Sequence, residues 1–208
     1  MNNNNYKYAY YPNLHKKYKF LCNKTGNDLL NKIDNKVSII LDNIVDKMKK
    51  NKLDVKKQLE EGFYIYDKKP SSDKGITWSK KEYNHLGFQY YYIKTKSVQR
   101  ITETYNLLIR SHNHGLFKKY KNNLNILSLG GGPGFELYAC NLFFKKYYKN
   151  IELKLTTIDN TNLWEFSNKI FNINFVKGSF YNKKTLEKYS KINNITIMSY
   201  VFYHYFNN

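Results

Sequence analysis

The stretch Leu127-Ser128-Leu129-Gly130-Gly131-Gly132-Pro133-Gly134-Phe135-Glu136 holds the residue types best suited to chemistry in this chain. Glycines at 130, 132 and 134 let a backbone turn sharply and let a ligand approach without meeting a Cβ. A helix starting just beyond them offers unpaired amide N–H groups, to which a carboxylate or phosphate can bind. The second candidate is Asp159, at the end of the run Leu155-Thr156-Thr157-Ile158-Asp159. A carboxylate fixed at a strand end can accept hydrogen bonds from two vicinal hydroxyls, whereas a helix cap or loop aspartate would have only a local role.

These residues converge only if the chain around them alternates strands and crossover helices. Short apolar runs predict strands at 125–129, 153–158, 173–177 and 195–200, and helices at 135–148, 162–171 and 183–191. This is the grammar of a parallel sheet in an α/β fold, occupying residues 121–208. Residues 27–120 read as a helical accessory region. Leu30, Ile33, Val37, Ile40, Leu41, Ile44 and Met48 recur at three- and four-residue steps on one helix face, and Val98, Ile101, Tyr105 and Leu108 do so on another. Asp54 is placed to cap a short helix running to Phe63, and Pro70 to Gly75 punctuate the region as a loop. Residues 1–26, rich in Asn, Tyr and Lys without a period, are expected to form a poorly ordered or loosely docked arm.

Composition bounds the function. The formal charge of +19 would ordinarily point to an anionic partner such as nucleic acid. Nearly all of it is lysine, with arginine only at 100 and 110, and Lys, Asn, Ile, Tyr and Phe are all residues of A/T-rich codons. Genome bias therefore competes with a selected nucleic-acid surface as the source of the charge. Cys22 and Cys140 have no metal-ligand spacing and make no disulfide framework, so no metal site is expected. No signal-peptide pattern and no run of about 18 apolar residues occurs, so the expectation is an intracellular protein, cytoplasmic or nuclear, without a membrane partner.

An apolar strand followed by Gly-x-Gly-x-Gly at 130, 132 and 134, with an acid ending the next strand, resembles the Rossmann-like S-adenosylmethionine-dependent methyltransferase family. The resemblance covers about residues 121–206 and implies a doubly wound parallel sheet of order 3-2-1-4. It implies that the loop lies beneath the methionine and ribose of S-adenosylmethionine and that Asp159 binds the ribose hydroxyls. Ser179 and Phe180 fall where the family binds adenine, and Ser199, a further cofactor-binding candidate, follows the fourth strand, where a methyl acceptor approaches. His204 is the nearest titratable group there and a candidate base. Ser128 and Ser179 stand where acids are common in the family, and the Asp/Asn-Pro-Pro-aromatic pattern of exocyclic-amine methyltransferases is missing after strand four. Three further strands would follow in the family. The reading is thus of a cofactor-binding half, cut after the fourth strand or completed by a partner chain.

Two alternatives remain. A dinucleotide-binding oxidoreductase also uses a glycine loop after its first strand, but Gly-x-Gly-x-x-Gly fails from Gly130, which meets Phe135, and from Gly132, which meets Leu137. An inactive methyltransferase-like module that binds RNA or a protein partner is the other. Lysines can track phosphate while aromatics such as Tyr90, Tyr91 and Tyr92 stack on bases, or those tyrosines simply pack the accessory helices.

Overall fold

In the computed structural model, residues 24–68, 78–179 and 181–199 are described. The expected arm up to residue 23, the Pro70 to Gly75 loop, Phe180 and His204 lie outside them. Two compact units divide between Gln99 and Arg100.

The first unit is helical. Helix α1, Lys24–Lys50, buries the whole predicted stripe from Leu30 to Met48. It ends because Lys52 turns left-handed (φ 55°), with its N–H donating to Lys49 O and that of Leu53 to Met48 O, which satisfies carbonyls of the last turn. Asp54 then caps α2, Val55–Asp67, by accepting from the Lys57 N–H at 3.1 Å, as its position predicts. Ser79 and Glu82 form a reciprocal capping box around the five-residue α3, Lys80–Asn84. Helix α4, Leu86–Asn113, follows at once. Its N-terminal turn crosses α2 backbone to backbone, and a Cβ on Gly62 would overlap the main chain of Gly87, so both positions must be glycine. Beside this crossing Tyr66, Trp78, Tyr83, Phe88 and Tyr92 form one aromatic cluster, with the Trp78 indole N–H donating to Ile65 O at 3.2 Å. Tyr92 is buried there, while Tyr90 and Tyr91 are half-buried beneath Lys94.

The second unit opens with the rest of α4, whose buried face carries Ile101, Tyr105 and Leu108. Strand β1, Asn123–Leu129, leads to α5, Phe135–Tyr147, then β2, Glu152–Asp159. A 3₁₀ turn, Asn162–Trp164, precedes α6, Glu165–Ile170. Strand β3, Asn174–Lys177, helix α7, Lys183–Ser190, and strand β4, Ile195–Ile197, complete it. All pairings are parallel, and the order is β3-β2-β1-β4. The expected α/β architecture with its helical region ahead of the sheet is therefore present. In central strand β1 the apolar residues Leu124, Ile126, Leu127 and Leu129 are all buried, because both faces of the strand are covered. Beside Leu127, Leu129 and Ile158 pack Val176, Leu186, Tyr189 and Met198. Register at β4 is set by Asn194, whose Oδ1 accepts from the Asn125 N–H at 2.8 Å, while Asn125 Nδ2 donates to Ile192 O at 2.7 Å.

Two expectations are adjusted. The single helix over 162–171 is a 3₁₀ turn followed by a short α-helix, because the Thr161 hydroxyl accepts from the Leu163 N–H and starts the tighter turn. Among the described residues the fourth strand pairs over Ile195–Ile197 and does not continue through 198 and 199.

Candidate functional site

Strands β1 and β2 end side by side, Leu129 opposite Ile158, and this register places the glycine loop against Asp159. The Gly130 N–H donates to Ile158 O at 2.8 Å, so the loop leaves the sheet only after one further ladder bond. Gly130, Gly132 and Gly134 all have positive φ, 62°, 50° and 87°. At Gly134 the requirement is double: its backbone is left-handed, and a Cβ would stand 2.5 Å from Asn168 Oδ1. It is also the N-cap of α5 and supplies no side-chain hydrogen bond, which leaves the first-turn N–H groups to other acceptors.

Asp159 closes the loop from the other side. Its Oδ2 accepts from the Gly132 N–H and its Oδ1 from the Thr161 N–H, each at 3.1 Å. The side chain is buried. That burial pushes the carboxyl above the usual carboxylate range, outweighing the N–H groups of Thr161, Gly132 and Asn160, which pull it down. A carboxylate has about four lone-pair positions, so the group keeps acceptor capacity beyond its backbone bonds. The loop-aspartate role and the diol-binding role are therefore compatible in one residue.

Asn168, on α6, was not singled out in the sequence. It is fully buried, and its Nδ2 donates both to Gly132 O and to Trp164 O at 2.8 Å. Its Oδ1 has no hydrogen-bond partner among the described residues and lies against Gly134. An asparagine is a poor helix-interior residue, and its place among Trp164, Ile170 and Phe171 was the available signal. The indole of buried Trp164 lies 3.8 Å from where a Cβ on Gly132 would stand, so Gly132 has more room than Gly134.

Beneath the loop, a Cβ on Gly131 would lie 2.5 Å from Ser128 Oγ. The loop thus rests directly on a small residue, which gives a steric reason for serine at 128. In the first turn of α5, buried Glu136 faces Arg100 of α4 at 3.6 Å. Cys140, one turn further, is a buried free thiol whose pKa is pushed up by burial and by Glu136.

The remaining expected residues are more dispersed. Ser179 is exposed, and its Oγ accepts from the Tyr181 N–H at 3.2 Å. It is tied to the site through the neighbouring Gly178 N–H, which donates to Asp159 O at 2.8 Å. Ser199 is half-buried, two residues past β4. The described residues contain no cluster of three or more metal-ligating side chains. No helix among them is long and apolar enough to cross a membrane.

A groove of about 480 Å³ in the helical unit is lined by Glu60, Glu61, Tyr64, Ile65 and His85. Its histidine is already engaged at both nitrogens. Nδ1 accepts from the Phe88 N–H at the start of α4, which leaves Nε2 to donate to Glu61 Oε2, both at 3.3 Å. No protein-family model matches this chain, and neither does any curated protein or any solved structure.

Proposed function

We propose that this chain binds S-adenosylmethionine over Gly130 to Gly134 and forms the cofactor-binding part of a methyltransferase. The observation that carries the reading is the hydrogen bond between Asp159 at the end of β2 and Gly132 after β1, inside a parallel sheet of order β3-β2-β1-β4. The donor set fits the cofactor. Asp159 keeps acceptor capacity for the ribose hydroxyls beside its backbone bonds, and Gly132 leaves its Cβ space open. The uncapped first turn of α5 receives the cofactor's carboxylate. Ser179, its oxygen already accepting, keeps a hydroxyl proton to donate to a ring nitrogen of adenine. When bound, the cofactor supplies an electrophilic methyl group on sulfur, and the protein's task is to hold that methyl in line with an incoming nucleophile.

Calorimetric titration with S-adenosylmethionine, S-adenosylhomocysteine and NAD, on the wild type and on Asp159→Ala, tests the proposal. Both sulfur ligands should bind the wild type and weaken in the variant. Binding of NAD alone would transfer the site to the dinucleotide-binding alternative, and no binding of any of the three would remove the cofactor reading.

A further inference from the structure

Between Thr104 and Ile151 the chain carries six lysines, Arg110 and a single carboxylate, Glu136. Glu136 is buried and faces Arg100, so the surface built from this segment shows no negative charge. Elsewhere several lysines have carboxylate partners: Lys49 with Asp46, Lys56 with Glu60, Lys57 with Glu61 and Lys183 with Glu187. Here all six are exposed, and among the described residues none has an ion pair.

Packing brings the six together. Lys118, Lys119 and Lys121 precede β1, Lys145 and Lys146 lie in the last turn of α5, and Lys149 follows it. Phe117 joins the two segments, with its ring 5.1 Å from that of Phe144 and 6.0 Å from that of Tyr148. His112 Nδ1 lies 2.7 Å from the Tyr148 hydroxyl, and the Glu152 N–H donates to Asn122 O at 2.7 Å. The bordering Glu152 carboxylate is taken by Lys154 at 3.5 Å. Complementing the helix dipole accounts for Lys145 and Lys146. It does not account for the three lysines before β1 or for Lys149. Aromatic rings lie among these charges: Tyr147 is exposed and Tyr120 half-buried, each under a lysine ammonium.

We infer that this face binds single-stranded nucleic acid, its lysines following the phosphates and Tyr147 stacking on a base. A carboxylate-free lysine surface suits a polyanion in general. An exposed aromatic ring, Tyr147, with half-buried Tyr120 among the cations favours a strand whose bases are unpaired and free to stack. The 13 residues of α5 separate the face from the glycine loop by roughly 20 Å at 1.5 Å per residue, so the inference stands independently of the cofactor.

The test is fluorescence anisotropy with a labelled oligouridine strand, and an oligothymidine strand of the same length, over a salt series. The proteins compared are the wild type, Lys118/Lys119/Lys121→Gln, an equal charge change at Lys184/Lys188/Lys191→Gln, and Tyr147→Ala, with a thermal melt to confirm folding. Single strands lose about 0.7 in log–log salt slope per phosphate contact, so the first triple variant should flatten the slope by about 2 and the control triple by much less. Tyr147→Ala should weaken binding about tenfold at unchanged slope. Equal losses in both triple variants, a flat salt response, an unaffected Tyr147→Ala, or binding only to phosphatidylserine vesicles would each overturn the inference.

Discussion

Replacing Asp159 by Asn keeps the shape of the side chain and changes only its hydrogen-bonding character. In the wild type both carboxylate oxygens accept backbone N–H bonds, from Gly132 and Thr161. The amide retains one acceptor and sets an NH₂ donor against the other N–H. Hydrogen bonds to charged groups contribute about 1.5–3 kcal/mol each. The variant loses one such bond to its own loop and loses the charged acceptor for a ribose diol. Cofactor affinity should therefore fall by about 2–3 kcal/mol, roughly 30- to 150-fold in Kd by calorimetry. Stability should change less, because the amide also removes the cost of burying a charge. The pH dependence carries the sharper test. Burial raises the folded-state pKa of Asp159 above its unfolded value of about 3.9, so the folded chain binds the proton more tightly. The stabilisation from that proton is complete below the unfolded pKa and is lost as pH rises through the folded one. Denaturant titrations should therefore show the wild type losing stability relative to Asp159→Asn from about pH 4 upward. A hydroxyl donor favours the ionised form, so affinity for S-adenosylmethionine should rise over the same window in the wild type and stay level in the variant. A wild-type advantage in stability that grew with pH would mean that the backbone donors outweigh burial, and would refute this account of the site.

Gly62→Ala should cost about 3 kcal/mol or more by overpacking the α2–α4 crossing, lowering Tm by roughly 6–12 °C in a melt. Gly178→Ala, where a new Cβ would find nothing nearer than 3.6 Å, should stay within about 1 kcal/mol of the wild type. In the loop, Gly134→Ala should destabilise by about 2–4 kcal/mol through its left-handed backbone and its overlap with Asn168, and Gly132→Ala by only about 1–2 kcal/mol, since φ is its sole difficulty. Denaturation midpoints give the ranking, which inverts if the loop is not held by α6. In a Cys22→Ser background, Cys140 should ignore a thiol reagent at pH 8 until guanidinium unfolds the protein, because burial holds it as the protonated thiol.

The stripes from Leu30 to Met48 and from Val98 to Leu108 were legible because a 3.6-residue period leaves a mark on every turn. The sheet was legible because short, mainly apolar clusters, such as Ile126 to Leu129 in β1 and Ile195 to Ile197 in β4, alternate with helical segments. Other features leave no such mark. The unit boundary falls inside α4, between Gln99 and Arg100, where the helix continues without a break and the sequence offers no punctuation. Gly62 and Gly87 meet across 25 positions of sequence, and nothing local to either announces the contact. The Asn168 clamp was missed for the same reason: its partner Gly132 is 36 residues away. Ser79 with Glu82 was the opposite case, a local capping signature present in the sequence and left unread.

The glycine loop is fastened from three directions: Gly130 to Ile158, Gly132 N–H to Asp159, and Gly132 O to Asn168. Fixing a backbone residue costs about 1–2 kcal/mol of conformational entropy. For these five residues that cost falls on folding, before any ligand arrives. Whatever the loop receives meets a finished socket, so its fragments should bind it separately. Adenosine and methionine, offered one at a time, should each give a measurable heat, and the loop amides should already resist hydrogen exchange in the free protein.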